Sequence, residues 1–202
     1  MSAETRRWGR GYTLIEILVV IVIISVLASL IASQIGKIID DGNRLKTRAI
    51  VVELKMGLNS YHTEYGRFPL ENPEEKEWLT DGSTALIDTL TGLPAEGGAV
   101  NLNPKGIRFV EFPTAKNDRH GIISQPRPSR LVDMWGKPFR ILLDADGDNQ
   151  VKNPDAQNSD PKISQPGGKP AAEFLAVNIA IYSCGKDGLP LTADDIVSWR
   201  EP

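Results

Sequence analysis

The chain has 202 residues and a formal net charge of −3, which gives room for one ordinary domain plus an appendage. That balance lacks the basic excess of a nucleic-acid binder, and a single cysteine, Cys184, excludes an intrachain disulfide. The two histidines, His62 and His120, stand far apart in polar surroundings and read as surface residues. No zinc spacing, nucleophile–base pair or phosphate-cradling glycine loop appears, so no enzyme is expected.

The first element is an apolar run. Residues 17–36 carry no charge, Arg6, Arg7 and Arg10 precede them, and Lys37 follows. About 20 such residues span a bilayer as a helix, and the upstream arginines keep the N-terminus cytoplasmic while the rest crosses. Three readings compete: a signal peptide cut after Val26-Leu27-Ala28, an uncleaved anchor, or a cut between Gly11 and Tyr12 that leaves the helix on the mature chain. Glu16 separates them. A carboxylate in a lipid-facing helix is costly and usually marks function. Cleavage before Tyr12 would free an amine four residues ahead of that carboxylate. In axially offset helices, Glu16 of one copy can then meet the amine of the next. Such a buried pair adds little stability but enforces register.

Beyond Lys37 the helix pattern continues. Val51, Leu54, Leu58, Tyr61 and Tyr65 follow a 3-4-3-4 spacing that points one stripe at a sheet of the same domain. Gly66 and Pro69 stop it. Gly36 and the Asp40-Asp41-Gly42-Asn43 cluster mark where this helix is expected to bend or melt, since glycine costs about 1 kcal/mol in a helix interior. A short helix is expected over 83–92 with Ser83 as its N-cap, then a strand over 106–112 and a loop over 113–130. Residues 133–138 form a turn, with Trp135 as a core plug, leading into a strand over 139–143. A second strand is expected over 174–183, and 153–170 reads as an exposed insertion or long hairpin loop.

Two acidic stretches suit hard cations. Asp187, Asp194 and Asp195 share a turn-rich tail, and three carboxylates brought close repel unless a cation or hydrogen bonds intervene. Spacing alone leaves a calcium loop and a plain capped turn equally open. Asp144, Asp146 and Asp148 alternate as in the first half of an EF-hand loop, with Asp155 at the twelfth position. The sixth position is Asn149 rather than glycine and flanking helices are missing, so a solvated hairpin turn is the preferred reading there.

Gly11-Tyr12-Thr13-Leu14-Ile15-Glu16, behind a short basic leader and ahead of the apolar helix, resembles the prepilin motif of type IV pilins and type II secretion pseudopilins. The resemblance implies cleavage after Gly11 by a prepilin peptidase, methylation of the Tyr12 amine and an assembly role for Glu16. Tyr12 replaces the usual phenylalanine. "YHTEYGRFP" and the Trp135-Gly136-Lys137-Pro138-Phe139 turn are similar to features of major pseudopilins. Ser183-Cys184-Gly185-Lys186-Asp187-Gly188, followed by Asp194-Asp195-Ile196 and Trp199, is similar to that family's calcium loop. Carried over, Asp187, Asp194 and Asp195 are side-chain Ca²⁺ ligands and Cys184 a backbone ligand. With no disulfide available, the cation would be the tie that orders the tail.

The implied fold is α+β, a long N-terminal helix packed on a small antiparallel sheet with a C-terminal loop. The implied parts are a leader over 1–11, a transmembrane and filament-core helix over 12–36, and a periplasmic domain over 37–202 that includes the helix to about 65. The implied function is structural: a single-pass inner-membrane subunit that self-associates into a helical periplasmic filament alongside other pseudopilins and inner-membrane secretion components. A type IV pilin or minor pilin for adhesion, motility or DNA uptake is the alternative within the class. An anchored or secreted periplasmic calcium-binding domain is the alternative outside it.

Overall fold

The computed structural model describes residues 12–70, 77–95 and 100–200. The expected leader over 1–11, with Gly11, lies outside the described residues. The chain forms two compact units, Met1–Gly42 and Asn43–Pro202.

The first unit is the N-terminal part of helix α1 (Leu14–Tyr65). Its apolar side chains, Leu14 through Leu30 where described, are exposed. Helix α1 stays helical through Gly36 and Gly42, so the expected melting over 36–43 does not occur. A Cβ added at either glycine would meet nothing within 4 Å, so packing does not demand them. Their cost is confined to propensity, which the flanking helical turns outweigh.

In the second unit α1 turns one face inward. Ile50, Val51, Leu54, Leu58 and Tyr61 are buried, and Tyr65 packs partly buried beside them, so the expected stripe is the core stripe. The helix ends at Tyr65, and Gly66 takes the left-handed conformation at φ 67°. The face packs on a four-stranded antiparallel sheet of order β1-β4-β7-β8: β1 (Trp78–Leu79), β4 (Phe139–Leu143), β7 (Ile179–Ser183) and β8 (Ile196–Val197). Register pairs Phe139 with Ser183, Ile141 with Ile181 and Leu143 with Ile179. Side chains alternate across a strand, so Phe139, Ile141, Leu143, Ile179 and Ile181 join the helix-side core. Leu142, Ala180 and Tyr182 face the other way into a second cluster with Val151, Cys184 and Val197.

The insertion is the long hairpin loop expected, but that second cluster corrects its exposure. Residues 151–175 form a hairpin, β5 (Val151–Lys152) paired with β6 (Phe174–Leu175), and its Val151 is part of the cover over the far sheet face. Between these strands lie a 3-10 turn (Pro154–Gln157) capped by Asn153 and a one-turn helix α3 (Pro161–Ser164) capped by Asp160. Asn153, Asp155 and Asn158 are buried, so the insertion is only partly exposed. Two-residue strands give too short an alternation to be seen in sequence.

Other expectations shift too. Helix α2 is Leu86–Thr91 with Ala85 at its N-cap. Ser83 instead donates its amide to Asp81 Oδ1 at 2.9 Å in a local turn that ends ahead of the helix. Residues 106–112 alternate but pair with no strand; they cross α1 at Gly57, where a Cβ would lie 2.1 Å from Val110 Cγ1. The loop expected over 113–130 contains β2 (Gly121–Ile123), paired with β3 (Arg130–Val132). The single strand expected over 174–183 is split into β6 and β7. Trp135 is half-buried rather than a plug. The plug is Asp133 and Phe139, both 0% exposed, and Asp133 accepts from the amides of Trp135 (2.8 Å) and Lys137 (2.9 Å) and from Ser183 Oγ (2.5 Å). Both histidines are also half-buried: His62 stacks on Phe68 with ring centroids 4.6 Å apart, and His120 buries an unpartnered Nδ1.

Candidate assembly and cation sites

At the N-terminal site, Thr13 precedes the first turn of α1 and Glu16 lies within it. Glu16 Oε2 accepts from the Thr13 amide at 2.7 Å and from Thr13 Oγ1 at 2.9 Å, while the Glu16 amide donates back to Thr13 Oγ1 at 3.3 Å. Thr13-Leu14-Ile15-Glu16 is therefore a reciprocal capping box, which satisfies donors that a helix start leaves orphaned. Tyr12 is 83% exposed at the beginning of the described chain.

The C-terminal acidic loop connects β7 to β8. Asp194 Oδ2 accepts from the amides of Lys186 (2.7 Å) and Asp187 (3.1 Å), and its Oδ1 from Thr192 Oγ1 (2.8 Å). Burial would raise the Asp194 carboxyl, but the Thr192 hydroxyl and those amides hold it below its ordinary value. Asp195 is buried, and its Oδ2 accepts from Leu191 N (2.8 Å) and Thr192 N (3.2 Å). Burial, with a smaller push from the Asp194 charge, drives Asp195 up to about 6. Asp187 Oδ1 is occupied by the Leu189 amide at 2.8 Å. The loop thus brings Asp187 and Asp194 together across its neck and sets Asp195 beside them. Gly185, at φ 61°, is required there, since a Cβ would stand 2.5 Å from Asp194 O and Oδ2. Cys184 is buried, and burial pushes its thiol up.

The donors are hard oxygens of the kind calcium takes, but among the described residues Asp187, Asp194 and Asp195 do not bring their carboxylate oxygens within 4.8 Å of one another as a group of three. Nor is the tail tied by carboxylates alone. Asp155 Oδ2 accepts from Trp199 Nε1 at 2.9 Å and lies 3.2 Å from Arg200 Nε. Asn158 Nδ2 donates to Thr192 O (3.0 Å) and Ser159 N to Leu191 O (2.8 Å). From α1, Arg44 Nη1 donates to Asp194 O (3.2 Å) and Arg48 Nη2 to Arg200 O (2.8 Å).

Asp144, Asp146 and Asp148 bring their ligand oxygens within 4.8 Å of one another. Asp144 accepts from the amides of Gly147 (2.7 Å), Asp148 (3.2 Å) and Asn149 (2.8 Å). Burial would raise it, and these amides pull it below its ordinary value instead. Asn149 does adopt the left-handed conformation, φ 60°, that the sixth position of an EF-hand needs. The twelfth-position residue, Asp155, is engaged with Trp199 and Arg200, so the EF-hand pattern does not close.

A family model described as the prokaryotic N-terminal methylation motif matches residues 10–32. The chain carries a pilin-like prepilin N-terminus. Such a motif implies processing by a prepilin peptidase and assembly into a filament, and proteins bearing it are structural subunits. Neither the curated proteins nor the solved structures compared with the chain gave a match. In this prepilin, α1 contains a stretch long and apolar enough to cross a membrane, consistent with a single-pass anchor. The capping box of the prepilin segment was readable in the threonine-x-x-glutamate spacing, although Glu16 drew attention only as an intersubunit partner. The ties made by Arg44, Arg48 and Asp155 gave no sequence signal, because their partners lie roughly 40 to 150 positions away, and Asp155 drew notice only as the twelfth position of an EF-hand pattern.

Proposed function

We propose that the chain is a pseudopilin of type II secretion. It is held in the inner membrane with its N-terminus cytoplasmic and its Asn43–Pro202 unit periplasmic. Cut after Gly11 and methylated on Tyr12, it assembles into a short filament that promotes protein export. The observation that carries the reading is the conjunction of the methylation motif with a helix whose apolar N-terminal side chains are all exposed where described. Apolar area left bare in one copy is available for burial between copies. The turn into β4 and the acidic loop between β7 and β8 support the choice of pseudopilin over pilin.

The test is the intact mass of the native protein. A chain that begins at methylated Tyr12 supports the reading; one that begins at Ser29 or retains Met1 overturns it. Secretion that proceeds normally without the protein would overturn the pseudopilin assignment alone.

Asp187, Asp194 and Asp195, with the Cys184 carbonyl, are proposed to hold Ca²⁺. The cation would supply positive charge where Asp194 and Asp195 adjoin. Asp187→Ala should then lower the melting temperature in calcium and leave it unchanged in excess chelator. An equal loss in both would leave only a capped turn.

A further inference from the structure

Residues 114–120 make a tight hairpin under backbone strain. Lys116 and Arg119 exchange N–H···O bonds at 3.1 Å in each direction, around Asn117 and Asp118, which are left-handed at φ 52° and 56°. His120 is left-handed too, at φ 55°, a conformation that its surroundings must hold in place. The tip rests on the turn before β4, where a Cβ on Gly136 would stand 2.9 Å from Asp118 O. Residues 114–119 are exposed except for half-buried Ala115, so lifting the hairpin uncovers little core. What seats it is His120. Its amide donates to Asp133 O at 2.7 Å, and its half-buried ring feels the charge of Lys46 on α1. Thr47, next along α1, is fully buried and accepts from Met134 N at 3.4 Å, so the helix meets the turn at the same level.

From this geometry we infer that His120 is an acid-release latch: the neutral ring holds the 114–120 hairpin down, and protonation frees it. The ring's Nδ1 is buried and has no hydrogen-bond partner among the described residues. A neutral imidazole can keep its proton on Nε2 and leave Nδ1 a bare acceptor. An imidazolium must put a charged N–H into that place, where no described acceptor meets it, at a far higher cost. The charges around it bring no relief. Lys46 repels a cation, and Asp133, fully buried in the β3–β4 turn, spends its carboxylate on Ser183 Oγ and the amides of Trp135 and Lys137. The hairpin's own Lys116, Asp118 and Arg119 are exposed. Burial first, and the Lys46 charge second, hold the imidazole below its ordinary value. A histidine with a lowered folded value favours the seated hairpin fully above its unfolded value of about 6.5, and that advantage is lost as pH falls from there. Nothing in this latch depends on the filament.

The experiment takes the full-length chain in detergent between about pH 7.5 and about pH 5.5. It reads hydrogen exchange, corrected for its intrinsic pH dependence, and the NMR titration of the two histidine rings, told apart by His62→Gln. Protection of 114–120 should fall by up to about tenfold for each unit by which the fold lowers His120, while β4 and β7 keep theirs. His120→Asn suits the left-handed backbone and does not titrate, so its hairpin should stay level across the range. Lys46→Gln should shrink the fall without changing protection at the upper end. Level protection in wild type, or an equal fall in His120→Asn, overturns the inference. So does a His120 ring that titrates at or above about 6.5, a reading that does not need His120→Asn to fold.

Discussion

At the scale of single residues, Glu16 has one observed duty and, in the proposed filament, a second. Its oxygen caps its own helix through Thr13, and its charge is what a neighbouring Tyr12 amine would read. Glutamine serves a capping box as well as glutamate does. Glu16→Gln should therefore keep the helix start and the cleavage yet lose filament, and normal filaments from it would refute the pairing. Asp133 offers a second test. Burial raises its carboxyl above the ordinary value, against the pull of Ser183 Oγ and three backbone amides. An acid whose folded pKa is raised binds its proton more tightly in the fold. The penalty for its charge is complete above the folded pKa and is relieved as pH falls towards the unfolded value of about 3.9. Relative to Asp133→Asn, wild type should thus gain melting temperature between pH 7 and pH 4. Parallel pH profiles would show that Asp133 does not titrate in this window.

At the scale of elements, the insertion is a fastener. Its hairpin covers the far face of the sheet, and its 3-10 turn presents Asp155 to Trp199 and Arg200. Asp155→Ala removes an acceptor from a half-buried indole N–H and a partner from a guanidinium, a loss of about 1–3 kcal/mol. It should lower the melting temperature with or without calcium, in contrast to Asp187→Ala. An effect confined to calcium-containing buffer would mean that Asp155 acts through the acidic loop instead. The same elements mark how far sequence reasoning reaches. The stripe on α1 and the strand Phe139–Leu143 were legible, because a period repeated over several turns or a five-residue apolar run is a local signal. The strands β1, β5 and β8 were not, since two residues make no period and their pairing is decided by distant partners. For the candidate site, residue types pointed to the acidic loop. Nothing in the spacing told that Asp194 spends two of its acceptor sites on its own backbone, or that Arg44 and Arg48 reach its neighbourhood.

At the scale of the whole molecule, exposed apolar area falls in two places, the N-terminal part of α1 and the outward row from Leu45 to Met56. The first lies in a stretch that lipid can cover before assembly. The second lies in the Asn43–Pro202 unit, where exposed apolar area favours contact with another protein surface.

The ties from Arg44 and Arg48 to Asp194 and Arg200 also set a clock. They join positions 150 and 152 residues apart, and β8, the last strand of the sheet, begins at Ile196. Contacts this distant are slow to form and cannot exist until the end of the chain is available. The four-stranded sheet of the Asn43–Pro202 unit is therefore complete only once Ile196 and Val197 have been made. A chain ended after Pro190 should lack a cooperative melting transition; a sharp transition at wild-type temperature would show that the core closes without its final strand.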